Sequence, residues 1–287
     1  MKPETLDYLF AEYQRENELL RGCAYRTIRT YRESYDCWRS IGSPLDTDSL
    51  RSGLLSLRER GLKPSSVNQR LRCWMIFLRW LHQRGHLQTI PQAQMLPITR
   101  SIVPVFDSIQ CLAILRVKPS RPSIHRAQSM FALSLDTALR FGEMASLLRS
   151  GIDRAHMMLS VDGKVGARRV PVSAEGLRWI TRHAASHPHQ RVYATSSGLL
   201  LDHTNSLRHL RALFEMAGVP TDLAQWHNVR RFALRQYVAV AGIRGAQLLA
   251  GHSRPDVTIK YLDADSELES LQHQSLSPLV KLSLMRR

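Results

Sequence analysis

The chain carries six side chains suited to one kind of chemistry: Arg140, Lys164, His227, Arg230, His252 and Tyr261. They stand in the stretches TALRFGEMASLL, DGKVGARRVPVS, WHNVRRFALRQY and LAGHSRPDVTIKYLD. His227 and Arg230 are three positions apart at a predicted helix start, so both side chains face one side. Tyr261 follows the Gly251-His252 pair, nine positions after the histidine. Taken singly, each has an ordinary reading. Arg140 is a salt-bridge partner for Glu143, Lys164 a solvated hairpin lysine, His227 a structural histidine, His252 a helix cap and Tyr261 a core-edge tyrosine. Taken together they hold the donors for a phosphodiester. Arginine forks neutralise the non-bridging oxygens of a pentavalent phosphorus. A tyrosine can attack phosphorus and keep the bond energy in a phosphotyrosine, with no metal or ATP. A phenol has a pKa of ~10, so a nearby base and positive charge must help it ionise. The departing deoxyribose hydroxyl is a poor leaving group, which a lysine can protonate.

Charge supplies the matching partner. There are 40 Lys and Arg against 24 Asp and Glu, a formal net charge of +16, and arginine makes up most of the excess. Arginine forks suit phosphates, so a nucleic acid is expected. Hydrophobic residues make up 44% of the sequence, enough for a sizeable core. Cys23, Cys37, Cys73 and Cys111 form no C-x-x-C and read as buried thiols of a reducing compartment. The N-terminal stretch is charged and amphipathic, unlike a signal peptide, and no apolar run reaches the ~20 residues of a membrane helix. A cytoplasmic protein with no membrane partner is expected. His183, His187 and His189 lie close together but have no carboxylate or cysteine beside them, so no metal is expected. Neither a G-x-x-x-x-G-K-[ST] nor a G-x-G-x-x-G occurs, and no cofactor is expected.

Two groups of elements must position these residues. Apolar stripes predict helices at 4–20, 25–38, 47–60 and 63–85, with Thr47 as an N-cap and Val67, Leu71, Trp74, Leu78 and Leu81 at alternating steps of four and three. They make one helical domain, 1–86. Its polar faces carry Arg26, Arg29, Arg32, Arg70, Arg72 and Arg79. Any one of these is an ordinary solvated arginine, yet as a group they suit a DNA backbone, because phosphate contacts add up. Residues 87–105, broken by Pro91, Pro97 and Pro104, read as a linker. The second domain, 106–287, has predicted helices at 107–117, 123–139, 175–183, 205–217, 227–240, 245–250 and 266–276. Between the second and third lies a β-hairpin with Lys164 at its tip and Arg168 and Arg169 on its return strand. Arg140 sits where a helix gives way to a Phe-Gly turn. The fold class is mainly α with a small β-sheet.

These motifs resemble those of the tyrosine recombinases, the phage integrases, Cre and the Xer recombinases. TALRFGEMASLL is similar to the family's first arginine box, with Glu143 as its supporting acid. DGKVGARRVPVS is similar to its lysine hairpin, HNVRR to its H-x-x-R, and LLAGHSRPDVTIKYL to its second histidine and nucleophile. Asn228-Val229 and Leu262-Asp263 depart from the family's usual Asp-Leu and Thr-His without removing a catalytic group. The first domain resembles the family's core-binding domain and the second its α+β catalytic domain. The arm-binding domain of lambda-type integrases is not expected here.

The resemblance implies a C-shaped clamp on duplex DNA and a 3′-phosphotyrosine made by Tyr261. Arg140 and Arg230 would hold the phosphate, Lys164 would be the acid, His227 a base or hydrogen-bond partner and His252 a further donor. Arg26, Arg29, Arg70, Arg72, Arg168 and Arg169 are expected DNA contacts. The resemblance further implies a homotetramer on two recombination sites that passes through a Holliday junction, with the last helix and the apolar tail docked on a neighbouring protomer. A nicking-closing topoisomerase would use the same residues, and a non-catalytic DNA-binding regulator would be marked by loss of one of them. The DNA site, the need for accessory proteins, whether the last helix and tail dock on a neighbouring protomer or fold back on their own domain, and the choice among integration, excision, inversion and dimer resolution stay open.

Overall fold

The computed structural model describes residues 3–98, 104–163 and 166–251. Lys164, His252, Tyr261 and the predicted helix at 266–276 with its apolar tail lie outside the described residues. The chain divides into two compact units, Met1–Ser101 and Ile102–Arg287.

The first unit holds α1 (Pro3–Leu19), α2 (Tyr25–Arg39), α3 (Thr47–Glu59) and α4 (Pro64–Gln83). The α4 stripe Val67, Leu71, Trp74, Leu78 and Leu81 is fully buried. It packs with Leu6, Leu9, Phe10 and Tyr13 of α1 and with Tyr35 and Trp38 of α2. Aromatic rings dominate this core, and most of their polar ends find acceptors: Tyr35 and Trp80 donate to the carboxylates of Asp7 and Glu16. Trp38 stacks on Trp74 with centroids 5.9 Å apart, and their indole N–H groups donate to Arg70 O and Pro44 O. The cap of α3 is Asp46 rather than the expected Thr47. Its carboxylate accepts from Ser49 N at 2.8 Å, a charged acceptor on the positive end of a helix. Thr47 is already helical, and its hydroxyl accepts from Gln92 N. In α4 the serines lie inside the first turn, and Pro64 opens the helix where its missing N–H costs nothing. Within the stretch read as a linker, Leu87, Ala93 and Leu96 pack on this core, and Asn68 holds Leu96 through both backbone polar groups.

The second unit holds α5 (Ser108–Arg116), α6 (Pro122–Thr137), α7 (Phe141–Ser146), β1 (Ile152–Asp153), β2 (Met158–Gly163), β3 (Gly166–Pro171), α8 (Ala174–Ala185), α9 (His203–Met216) and α10 (Trp226–Ala250). The fold class is mainly α with a small antiparallel sheet of order β1-β2-β3. Leu159 and Val161 of β2 and Val170 of β3 turn into the core, with Leu159 opposite Val170 and Gly163 opposite Gly166. α6 is buried almost all round because α8, α9 and α10 pack against it. α10 breaks at Gly242, whose φ of 70° leaves the helical region, and ends at Gly251 in the left-handed region. Of the four cysteines only Cys111 is buried; the others are half-buried, and all are free thiols.

Two elements escape sequence reading. β1 has two residues and α7 six, both too short to show a period. The expected Phe-Gly turn is in fact the first turn of α7. Arg140 caps it, and its backbone N–H donates to the Glu143 carboxylate at 2.8 Å.

Candidate active site

Arg140 leaves α6 through Ala138, a buried alanine in the left-handed region with φ 49°. That sharp exit points the Arg140 side chain away from the core, and it stays 42% exposed. Its Nη1 donates to Glu143 Oε1 at 3.2 Å and to Ala250 O at 3.5 Å. Arg230, from the second turn of α10, is 2% exposed. Its Nη2 donates to Ala250 O at 2.9 Å, and its Nη1 donates to Ala138 O. The last carbonyls of a helix have no partner within it and carry partial negative charge, so cations gather there. Here the C-terminal end of α10 draws the two arginines of the separate boxes to one oxygen.

A third guanidinium reaches the same place. Arg168, on β3, donates through Nη1 to Leu249 O at 2.8 Å, through Nε to Glu143 Oε1 at 3.3 Å and through Nη2 to Glu143 Oε2 at 3.2 Å. The sequence pattern groups Arg168 with the DNA contacts; the structure turns it inward, because the buried Glu143 carboxylate and an open helix end offer more than solvent does. Burial pushes the Glu143 carboxyl upward. The hydrogen bonds from Arg168, the Arg140 backbone N–H and the two guanidinium charges outweigh it, so the carboxyl lies below its usual range and is ionised. Three arginines against one carboxylate leave excess positive charge, as an anionic phosphate requires.

His227 stands one turn before Arg230 in the first turn of α10. The residue is exposed, yet partial desolvation, then the charges of Arg231, Arg230 and Arg140, lower its pKa below the usual 6.5. The ring is therefore neutral at pH 7, the form that accepts a proton. Asn228, one of the departures from the family pattern, is buried and donates to Leu223 O, a structural bond.

Residues 105–267 match the phage integrase family, a span that takes in more than half of the chain and within which the six candidate positions fall. The chain belongs to the phage integrase family. It is a tyrosine-type site-specific DNA recombinase, as its motifs imply. The tyrosine recombinase XerC of Xylella fastidiosa (strain 9a5c) is 23% identical over 272 residues, spanning 90% of this chain and 92% of that protein. The Tn1549 transposon integrase in complex with transposon right end DNA has the same fold, with a TM-score of 0.79 at 14% identity over 95% of this chain and 99% of that one. A lambda integrase tetramer bound to a Holliday junction matches with a TM-score of 0.69 at 15% identity, over 93% of this chain and 76% of that one.

In this recombinase the remaining arginines divide by exposure. Arg26, Arg29 and Arg72 are exposed, Arg29 beside Glu33 at 2.8 Å. Arg70 is half-buried and donates to Glu33 O, which makes it a tie between α4 and α2. Arg169 is exposed and pairs with Asp153. His183 stacks on Tyr193, and His187 and His189 are held by backbone groups. Among the described residues no group of His, Cys, Asp and Glu could hold a metal ion, and no helix is long and apolar enough to cross a membrane.

Proposed function

We propose that the recombinase breaks and rejoins DNA with Tyr261 as nucleophile and the arginine cluster at the end of α10 as phosphate clamp. The observation that carries this reading is the meeting of Arg140 and Arg230 on Ala250 O, two residues before His252 in sequence and eleven before Tyr261. Arg140 and Arg230 bind the non-bridging oxygens. Neutral His227 takes the phenolic proton, directly or through a water. The phenolate forms an O–P bond, the bond from phosphorus to the 5′-oxygen breaks, and Lys164 gives that oxygen its proton. His252 adds a hydrogen bond to the phosphate. The product is a 3′-phosphotyrosine and a free 5′-hydroxyl. Attack by the 5′-hydroxyl of a second strand reverses each transfer and rejoins the DNA. One phosphodiester is exchanged for another, so no external energy source enters.

The substrate on this reading is a pair of double-stranded recombination sites in the cytoplasm, held by four copies of the chain and passing through a Holliday junction. The likeness to the lambda integrase tetramer supports that assembly. The first unit is the core-binding domain and the second the catalytic domain. A nicked suicide substrate tests the chemistry. Wild type should accumulate a denaturation-resistant protein–DNA adduct, and Tyr261→Phe should bind DNA without forming one. An adduct from Tyr261→Phe would sink the assignment.

A further inference from the structure

We infer that Arg168 is a positioning residue of this recombinase: with Glu143 it forms the buried ion pair against which the separate segments of the phosphate clamp are set. The inference rests on the catalytic reading above and goes beyond its six residues.

Geometry carries it. The guanidinium is spent in three directions, two bonds to Glu143 and one to Leu249 O, so β3 is pinned at once to the start of α7 and to the end of α10. Glu143 is 3% exposed and the Arg168 side chain 20%. Two backbone positions beside the pair leave no room for a side chain, and both are glycine. A Cβ on Gly163 would lie 2.9 Å from Glu143 Oε1, and a Cβ on Gly251 would lie 2.9 Å from Arg168 Cζ. Gly163 precedes Lys164 in sequence, and Gly251 precedes His252. The pair is thus a common footing for the residues that lead into the lysine hairpin and the Gly-His turn, and for Arg140, which shares the same carboxylate.

Charge gives Arg168 a second task. A buried carboxylate needs a counter-ion, and the surrounding cations compete to be it. Arg168 offers Glu143 two side-chain bonds, whereas Arg140 offers one and keeps much of its fork at the surface. With Arg168 in place the charge of Arg140 stays available for phosphate. Among the described residues, the charged groups facing the carboxylate are Arg140 from the N-cap of α7 and Arg168 from β3.

The test compares wild type with Arg168→Ala, Arg168→Lys, Arg168→Gln, Glu143→Gln and the double variant Arg168→Ala/Glu143→Gln. It reads DNA affinity against salt and the rate of adduct formation at saturating DNA. Arg168→Ala should slow the saturated rate about 10- to 100-fold, the usual effect of misplacing a reacting group by an ångström. The salt slope should not change, because Arg168 neutralises no phosphate. Arg168→Lys should stay slow, since an ammonium cannot span Glu143 and Leu249 O. The double variant should be no slower than the slower single variant. In Arg168→Gln the Glu143 carboxyl loses its strongest counterweight to burial. Its pKa should rise, adding to the His227 limb a second acid-side loss of rate that recovers in alkali and that the double variant, which has no carboxyl at 143, lacks. A merely structural residue would lower the melting temperature without adding that limb.

An unchanged saturated rate with a salt slope smaller by about 0.9 would make Arg168 a phosphate contact and overturn the inference, as would additive effects in the double variant. If Arg168→Ala does not fold, the pH limb of Arg168→Gln decides. Tyr261→Phe is run in parallel. An adduct from that variant would remove the nucleophile assignment, while a wild-type rate in Arg168→Ala beside an inert Tyr261→Phe would remove only the role of Arg168.

Discussion

Arg140 and Arg230 converge on one atom, the carbonyl oxygen of Ala250, at 3.5 and 2.9 Å. They arrive from opposite conditions: Arg140 is 42% exposed, Arg230 only 2%. The same charge therefore serves two purposes. Arg230 satisfies buried backbone carbonyls as well as offering a cation, and Arg140 is held at the surface by Glu143.

Substitutions at the two arginines should separate on this basis. Either alanine variant should lower adduct formation by about 10² to 10³, the usual loss when one preorganised donor to a developing charge is removed. Arg230→Ala should also lower unfolding free energy by about 1 to 3 kcal/mol, because Ala138 O and Ala250 O lose a buried partner. Arg140→Ala should change stability far less. Urea unfolding of both variants beside the suicide-substrate assay checks the difference; equal stability losses would contradict it.

The pH dependence of cleavage should report His227. Desolvation and the charges of Arg231, Arg230 and Arg140 depress its pKa, so the neutral ring persists below pH 6.5. As pH falls through the lowered value the ring gains a proton and can no longer accept one from the phenol. The acid limb of the single-turnover rate should thus lie below pH 6.5 and disappear in His227→Gln, over a slower plateau. A limb unaltered by that substitution would assign it to another group.

Gly251 should tolerate no side chain. Its φ is 62°, and an added Cβ would meet Arg168 Cζ at 2.9 Å. Gly251→Ala should cost about 1 to 2 kcal/mol from the left-handed backbone alone, and it should slow cleavage by displacing Arg168. Gly22→Ala is the control: φ is 60° there, but nothing lies within 4 Å. It should show the backbone cost with cleavage untouched. Denaturant melts and adduct rates of the pair check this, and equal cleavage rates would count against it.

Exposure should sort the arginines of the first unit. Alanine at Arg26, Arg29 or Arg72 should each lower the slope of log K against log salt by about 0.9 for every phosphate the arginine neutralises. Arg70→Ala should instead destabilise the unit by about 1 kcal/mol, since its guanidinium holds Glu33 O. Filter binding across a salt series with a parallel melt of each variant distinguishes the two classes.

Much of this recombinase was legible in its residues. The stripe Val67, Leu71, Trp74, Leu78 and Leu81 reads as a buried helix face, because helical periodicity is set by neighbours three and four apart, and the structure buries every member. The hairpin of Leu159, Val161 and Val170 was legible for the same reason with a period of two. The six chemical positions were singled out by residue type and by the resemblance of their motifs to the family's, as was Glu143; of the six, Arg140, His227 and Arg230 lie among the described residues. What the sequence could not decide was where backbone carbonyls would point once distant segments packed. Arg168 looks like one more surface arginine until α10 ends beside β3 and leaves Leu249 O open to it. Ala250 O becomes the meeting point of Arg140 and Arg230 only because α6 exits through a left-handed Ala138 and α10 stops at Gly251. Those acceptors belong to the backbone, which every residue shares, so no pattern of residue types marks them. Only the packing of α10 against α6 and the sheet decides which arginine spends its charge inside and which keeps it for DNA.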